Sequence, residues 1–518
     1  MLYWIQGAGG GERNRRARKS DVTAVTAREG KTMDAEKLHF REMFWDEWLM
    51  EENDGVRVTM HAPRPEGVVF VCDRMWEGCV SGYFQIFRDG PAYRLYYRGA
   101  SNLRDTDGRL IGGSLGRFCY AESPDGIRFT RPELGIVPYN GSTKNNILFG
   151  KEMDNIFVFR DPNPACPPEE RYKGLCGEYR QGLMLYASPD GVHFSETGRK
   201  VIEKGHFDSL NTCFWNQAAG RYELYYRSFH PTAQPDGGPE RNVEGIVRDI
   251  HHAVSPDFVT WTEEGLIGYG PDAPDFQMYT NNVMLYPRAP HMYVGWPTRY
   301  IERRMDPEGI PALPDWDMRR GLIEEEGRGG TAMTDSLFMS SRDGQNFLRN
   351  EEAFLRPGPE RSGVWTYGST YMSYGFAETR NAVTGDEEIS LYATENYRYG
   401  PTALRRYTLR QDGFRSWSSP WKESRVLTKP VKLRADGLSL NFSTSAQGYV
   451  RLRICDTEGT PVPGFDSGCL FGDALRRAVP FEGDPGSLAD TPVRLEFRMS
   501  DADLYSMTSQ DTVPRYMR

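Results

Sequence analysis

One turn phrase, echoed five times, constrains this chain more than any other feature. Ser123-Pro124-Asp125-Gly126 is followed by Phe129, and Ser188-Pro189-Asp190-Gly191 by Phe194. Ser255-Pro256-Asp257 leads to Trp261, Ser341-Arg342-Asp343-Gly344 to Phe347, and the shorter Gln411-Asp412-Gly413 to Trp417. Successive aspartates stand 65, 67, 86 and 69 residues apart, which sets the repeat at the size of a four-stranded unit. Asp-Gly between apolar runs signals a hairpin, because glycine accepts positive φ without a Cβ clash.

A second phrase precedes each copy. It reads YRLYYRG at 93–99, RYKGLCG at 171–177, YELYYRS at 222–228, HMYVGWP at 291–297 and ISLYATE at 389–395. These aromatic and β-branched runs, bounded by Gly, Pro or Asn, are strands. Five such units with almost no helical periodicity predict an all-β chain whose repeats close radially as a five-bladed β-propeller, since closure protects sheet edges. After about residue 425 the runs GLSLNFSTS, GYVRLRICD and TPVRLEFRMSD alternate in period two, the pattern of a C-terminal β-sandwich. The expected division is a disordered extension over 1–38, the propeller over 39–424 and the sandwich over 425–518. The polar, proline-bearing stretch 301–330 is expected to be a loop standing off the disc, placed to wall a pocket.

Composition narrows the function. The 518-residue chain carries a net charge of −9 and shows no basic stripe beyond its first 32 residues, a poor match for nucleic acid or an anionic membrane. No run of about 18 apolar residues occurs. The eight cysteines form no C-x-x-C pair, so neither a zinc site nor a disulfide framework is expected from them; free thiols in a reducing compartment are. The N-terminus is Gly- and Arg-rich, without the apolar core of a secretory signal. Met33 is a candidate natural start, and the cytoplasm is the expected location.

The stretch Phe159-Arg160-Asp161-Pro162-Asn163-Pro164 puts an acid where a strand gives way to a proline-stopped loop. With the five repeats and the C-terminal sandwich, this Arg-Asp-Pro resembles the glycoside hydrolase family 32 architecture and the related family 43 furanosidases. The resemblance implies a transition-state-stabilising role for Asp161, with Arg160 beside it. Where that family carries its first-blade nucleophile, this chain reads DRMWEGCVSGYFQIF (73–87), offering Asp73 and Glu77, the latter beside Trp76. Where it carries its third-blade acid, the chain reads HFDSLNTCFW (206–215), offering Asp208.

Cleaving a glycosidic bond takes two carboxyl groups, one protonated and one ionised, and a funnel lined by separate blades can supply them. Acids near the start of each blade's inner strand would face the axis. Asp161, Asp208 and Glu77 are the expected catalytic residues. Arg160, Trp76, Asn281, Trp296, Arg299, Glu395 and Asn396 are the expected sugar-binding groups, through aromatic faces and planar polar side chains. The activity expected is hydrolysis of a furanoside or related small glycan. A phosphorylase or transglycosylase on the same fold, or a non-catalytic carbohydrate-binding propeller, are the alternatives. No cofactor is called for, although an oxygen-rich channel can hold calcium. His251 and His252 are adjacent and so face opposite sides of a strand, which does not make a metal site.

Overall fold

The computed structural model describes residues 36–104, 110–178, 182–232, 245–303, 309–433, 437–489 and 491–509. The structure is nearly all-β. Each expected repeat forms a small antiparallel sheet: the first from Gly82–Asp89, Ala92–Arg104 and Leu110–Ser123, and the second from Phe157–Arg160, Tyr172–Glu178, Gly182–Ser188 and Ser195–Ile202. The third comprises Thr212–Asn216, Arg221–Pro231, Ile246–Ser255 and Thr262–Leu266, and the fourth Met284–Tyr286, Ala289–Gly295, Met339–Ser341 and Leu348–Arg349. The fifth joins Ala377–Arg380, Glu387–Glu395 and Ala403–Arg410 to Arg64–Val71, a strand from upstream of the first sheet.

The repeated phrase builds the outer turns. The Ser188 hydroxyl accepts from the Gly191 N–H at 2.9 Å, and Asp190 Oδ1 accepts from the Val192 and His193 N–H groups at 2.8 and 2.9 Å. Ser123/Asp125, Ser255/Asp257 and Ser341/Asp343 repeat this net. Gly191 has φ +79°, as the turn requires. The Thr260 N–H, then that of Val259, hold the Asp257 carboxyl below its ordinary value.

The turns also fasten neighbours. Tyr96 of the first sheet donates its hydroxyl to the Gly191 carbonyl of the second at 2.8 Å, and Tyr225 of the third donates to Gly344 of the fourth at 2.7 Å. Tyr392 of the fifth donates to Gly126 of the first. Between second and third, the Tyr222 hydroxyl reaches Asp161 at 2.8 Å; between fourth and fifth, the Asn282 amide reaches the Met372 carbonyl at 2.8 Å. The first strands of sheets one to four pack side by side, and that of the fifth packs on that of the first.

Gln277–Met278, Thr298–Glu302 and Ala332–Ser336 form a separate three-stranded sheet, and the other strands form an eleven-stranded assembly around the long partners Ser439–Cys455 and Pro492–Thr508. Its core includes Trp417, Val450, Phe497 and Leu504. The expected boundaries at 39 and 425 are corrected here. Arg41–Met43, Met50–Asp54, Arg57–Met60 and Arg415–Ser419 belong to this assembly, pairing with Pro492–Thr508, Ser424–Thr428 or one another. Leu38, expected in the disordered extension, is buried in its core; residues 1–35 lie outside the described residues.

The expected loop 301–330 is corrected as well. Within it, Trp316–Glu326 is an α-helix, with Arg328–Thr331 a further helical turn. Leu322 is buried, and so is Arg319, which donates to the Gly330 and Trp365 carbonyls at 2.9 and 2.8 Å. The side chain that docks this helix is charged, so no apolar period marks it in the sequence.

Candidate active site

The first strand of each sheet has a leading end, where the chain comes in, and a trailing end, where it leaves toward the next hairpin. The two ends carry different chemistry. Asp154 stands just before Phe157–Arg160 and Asp208 just before Thr212–Asn216, so both lie at leading ends. Asn155 donates its amide to the Phe207 carbonyl, fixing these leading ends side by side.

Tyr83, on the first strand of the first sheet with φ 53°, lies within the electrostatic reach of both aspartates. Burial, then the charges of Asp208 and Asp154, raise its hydroxyl well above the ordinary tyrosine value, so it stays a protonated donor. Arg98 lies 4.8 Å over the Tyr83 ring, pairs with Asp154 and donates to the Tyr397 hydroxyl at 3.1 Å. Among the described residues, Asp154 has the Arg98 ion pair, whereas the exposed Asp208 has neither a hydrogen bond nor an ion pair. One carboxylate is fixed by a cation, and the other has no such partner among the described residues.

A mostly buried cluster of tyrosines adjoins Arg98 through Tyr397. Tyr397 contacts Tyr367 and Tyr371 at 5.9 and 6.0 Å, and the hydroxyls of Tyr279 and Tyr367 are 2.6 Å apart. Tyr279 stacks on Tyr300 and Tyr371 at 5.7 Å each. Guanidinium groups lie over these rings: Arg227 and Arg248 over Tyr279, Arg328 over Tyr300 and Arg398 over Tyr367, at 4.6 to 5.9 Å. The leading ends thus gather two aspartates, a protonated phenol, aromatic faces and several arginines.

The expected catalytic trio does not converge. Asp161 follows Phe157–Arg160 and so stands at the trailing end, six residues of extended chain beyond Asn155, or about 20 Å. It is fully buried, bonded to Lys173 Nζ at 2.7 Å and the Tyr222 hydroxyl at 2.8 Å, and its Oδ1 caps the Asn163 N–H at 2.9 Å. Glu77 is also buried: Arg131 grips both its oxygens at 2.8 and 2.9 Å, and Tyr97 donates to Oε1. Of the three, only Asp208 lies where the leading-end groups meet.

The expected sugar-binding residues scatter in the same way. Trp296 is fully buried in a core with Trp45, Phe338 and Phe414, where no sugar can stack on it. Asn281 bridges the third and fourth units through the Leu210 and Tyr225 carbonyls at 3.2 Å each and the Thr212 hydroxyl at 2.7 Å. Arg299 is committed to both Asp335 oxygens at 2.9 and 2.6 Å. Burial would push the Glu395 carboxyl up, but Arg405 and then Arg361 outweigh it and hold it low. Asn396 makes the turn that delivers Tyr397, its carbonyl accepting from the Tyr399 and Gly400 N–H groups. Trp76 donates to Asn146 at 2.8 Å, and the exposed Arg160 lies 3.6 Å from Asp89 at the trailing end. His252 pairs with Glu223 at 2.7 Å.

Tyr83 and Asp154 lie outside the repeated phrases, and Arg98 lies within YRLYYRG, read in the sequence only as a strand. Asp154 could have been found by position, since Met153-Asp154-Asn155 leads into the second repeat's first strand as Phe207-Asp208-Ser209 leads into the third's.

No protein-family model matches the chain, and no curated protein matches it. Solved structures do, loosely. An N-acetylgalactosamine deacetylase from F. plautii, in complex with blood group B trisaccharide, shares 13% identity over 68% of this chain and 95% of its own, with a TM-score of 0.39. A glycoside hydrolase family 43 arabinoxylan arabinofuranohydrolase from Bacillus subtilis shares 10% over 84% and 96%, at 0.37. A structure described with the GH130 family of mannoside phosphorylases, which contains glycoside hydrolases that target β-1,2 mannosidic linkages in Candida mannan, shares 15% over 67% and 93%, at 0.37. The functional reading therefore rests on the site itself.

Proposed function

We propose that the protein is a glycoside-cleaving enzyme acting on a furanoside or related small glycan, built on a five-bladed β-propeller with a β-sandwich. The supporting observation is that Asp154 and Asp208 stand at the leading ends of neighbouring first strands, fixed side by side by the Asn155–Phe207 hydrogen bond, with Tyr83 within the electrostatic reach of both. In this reading Asp208 is the general acid/base, since it is exposed and has no hydrogen-bond or ion-pair partner among the described residues. Asp154, clamped by Arg98, is the ionised partner that faces developing positive charge at the anomeric carbon. Tyr83 donates to a substrate oxygen, and the buried tyrosine cluster backs that position. Asp161, Glu77 and Glu395 hold the scaffold. The eight free cysteines, six of them buried, support a reducing, cytoplasmic setting.

A second reading, phosphorolysis on the same site, is favoured by one observation: Arg98, Arg227, Arg248, Arg328 and Arg398 crowd the tyrosine cluster, and guanidinium forks suit an oxyanion. A panel of aryl furanosides and pyranosides, run with and without inorganic phosphate, separates the two. Turnover without phosphate that falls at least ~10²-fold in Asp208→Asn and Asp154→Asn supports the hydrolase. Strict phosphate dependence selects the second reading. Sugar binding with no turnover, or turnover indifferent to both substitutions, refutes the assignment.

A further inference from the structure

At the trailing end of the second sheet, a buried amine, thiol and carboxylate meet that the leading-end chemistry does not use. Lys173, on Tyr172–Glu178, faces the loop that joins this strand to Phe157–Arg160. Its ammonium lies 3.0 Å from Cys166 Sγ, 2.7 Å from Asp161 Oδ2 and 3.1 Å from the Glu170 carbonyl. These contacts use all three of its N–H groups, and nitrogen and sulfur touch with no room for water between them.

Two features set this pair apart from an ordinary buried thiol. Cys166 is 6% exposed, yet its chain neighbours Ala165 and Pro167 are exposed, so one layer of surface loop covers the sulfur. A molecule as small as hydrogen peroxide needs only a local opening of that loop to reach it. Burial raises the Cys166 thiol, and the Lys173 ammonium opposes that rise; the same ammonium stabilises the thiolate that peroxide attacks. Burial would lower the Lys173 ammonium, but Asp161 outweighs it and keeps the amine protonated at rest. The pair is therefore inert until an oxidant arrives, and Asp161 is placed to take the proton the amine must then lose.

We propose that Lys173 and Cys166 form a reversible covalent redox site, in which one oxygen atom bridges the lysine nitrogen and the cysteine sulfur. The oxidant class is peroxide. A first hydrogen peroxide gives oxygen to the sulfur: its O–O bond breaks, the thiol becomes a sulfenic acid and one water leaves. A second peroxide accepts two electrons as the N–O bond forms; one hydrogen leaves the nitrogen, one leaves the sulfenic oxygen, and two waters result. One thiol, one neutral amine and two peroxides thus yield the S–O–N bridge and three waters, with the ammonium proton left on Asp161. Excess dithiol returns the four electrons and restores both side chains. Two single bonds through one oxygen span close to the present 3.0 Å separation, so little has to move. The bridge tethers the 162–171 loop to its own sheet and shields Cys166 from irreversible oxidation to sulfinic acid. The site is independent of the glycoside-cleaving reading.

The test uses the full chain, treated with hydrogen peroxide, alkylated to block remaining thiols, digested with trypsin and analysed by mass spectrometry. Trypsin ordinarily cuts after Arg160, Arg171, Lys173 and Arg180. The bridge blocks the cut at Lys173 and joins peptide 161–171 to peptide 172–180, at their summed mass plus one oxygen and minus two hydrogens. That joined pair should form in wild type and vanish on adding excess dithiothreitol. It should fall at least about tenfold in Cys166→Ser and in Lys173→Arg, the latter keeping a cation beside Asp161 so that folding is retained. No joined pair at peroxide levels that oxidise the exposed Cys469 would overturn the proposal. So would a disulfide from Cys166 to Cys176 or Cys213, or direct conversion of Cys166 to sulfinic or sulfonic acid.

Discussion

Asp161→Asn separates a structural from a chemical role for the carboxylate in FRDPNP. Lys173 is 2% exposed at its side chain, and its ammonium contacts Asp161 at 2.7 Å, Cys166 Sγ at 3.0 Å and the Glu170 carbonyl at 3.1 Å. The Glu170 carboxylate stands at 3.7 Å, too far to replace a direct bond. Removing the Asp161 charge strands a buried ammonium and weakens the link to Tyr222 across the second and third sheets. Breaking a buried pair from one side costs about 3–5 kcal/mol. The expected result is a loss of that size in chemical denaturation, followed by intrinsic fluorescence, with turnover per folded molecule retained. Adding Lys173→Met should recover much of the loss, because no unpaired charge then remains buried. A fall in turnover of about 100-fold with less than about 1 kcal/mol of destabilisation would refute this reasoning and return Asp161 to catalysis.

Three further outcomes follow from the same contacts. Trp296→Ala should cost about 3–5 kcal/mol through the cavity it leaves, with sugar affinity unchanged by isothermal titration. At Asp412, burial would push the carboxyl up, but Arg288 and then Arg41 outweigh it and hold it well below its ordinary value. The stabilisation from this ionised carboxylate is complete above the unfolded value of about 3.9 and is lost as pH falls through the folded one. The stability gap between wild type and Asp412→Asn should therefore be widest above about pH 4 and narrow below it in melts from pH 7 to pH 3. Tyr83→Phe removes only a hydroxyl and should lower turnover by about 10- to 100-fold with a melting temperature close to wild type.

Four of the repeats were legible because each turn writes its own hydrogen-bond net in a short phrase, Ser-x-Asp; the fifth, Gln411-Asp412-Gly413, lacks the serine, and its aspartate instead holds Arg288 and Tyr286. The alternation after residue 437 likewise announced strands. Partner choice was not legible. Arg41 pairs with Thr508 and Arg57 with Ser418, and nothing local to residues 41–60 distinguishes a strand of the large sheet from one of the small sheets. At the site, the positional argument outperformed the motif. Acids near the start of inner strands point to Asp208 and, by the same position, to Asp154, whereas the Arg-Asp-Pro match points to Asp161 at the opposite end. Trp296 and Glu395 misled for a different reason. A tryptophan or an acid near a strand end reads the same whether it meets solvent, a core or a pair of arginines.

The functional assignment stands on the leading ends of the first strands. A crystal structure of the protein soaked with an oligosaccharide that it binds locates that ligand directly. Density against Tyr83, Asp154 and Asp208, with a ring beside the tyrosines, is the predicted result. A sugar seated instead at the Asp161 end, or in the groove of about 720 Å³ between the fifth sheet and the large assembly near His61 and Tyr505, would contradict it.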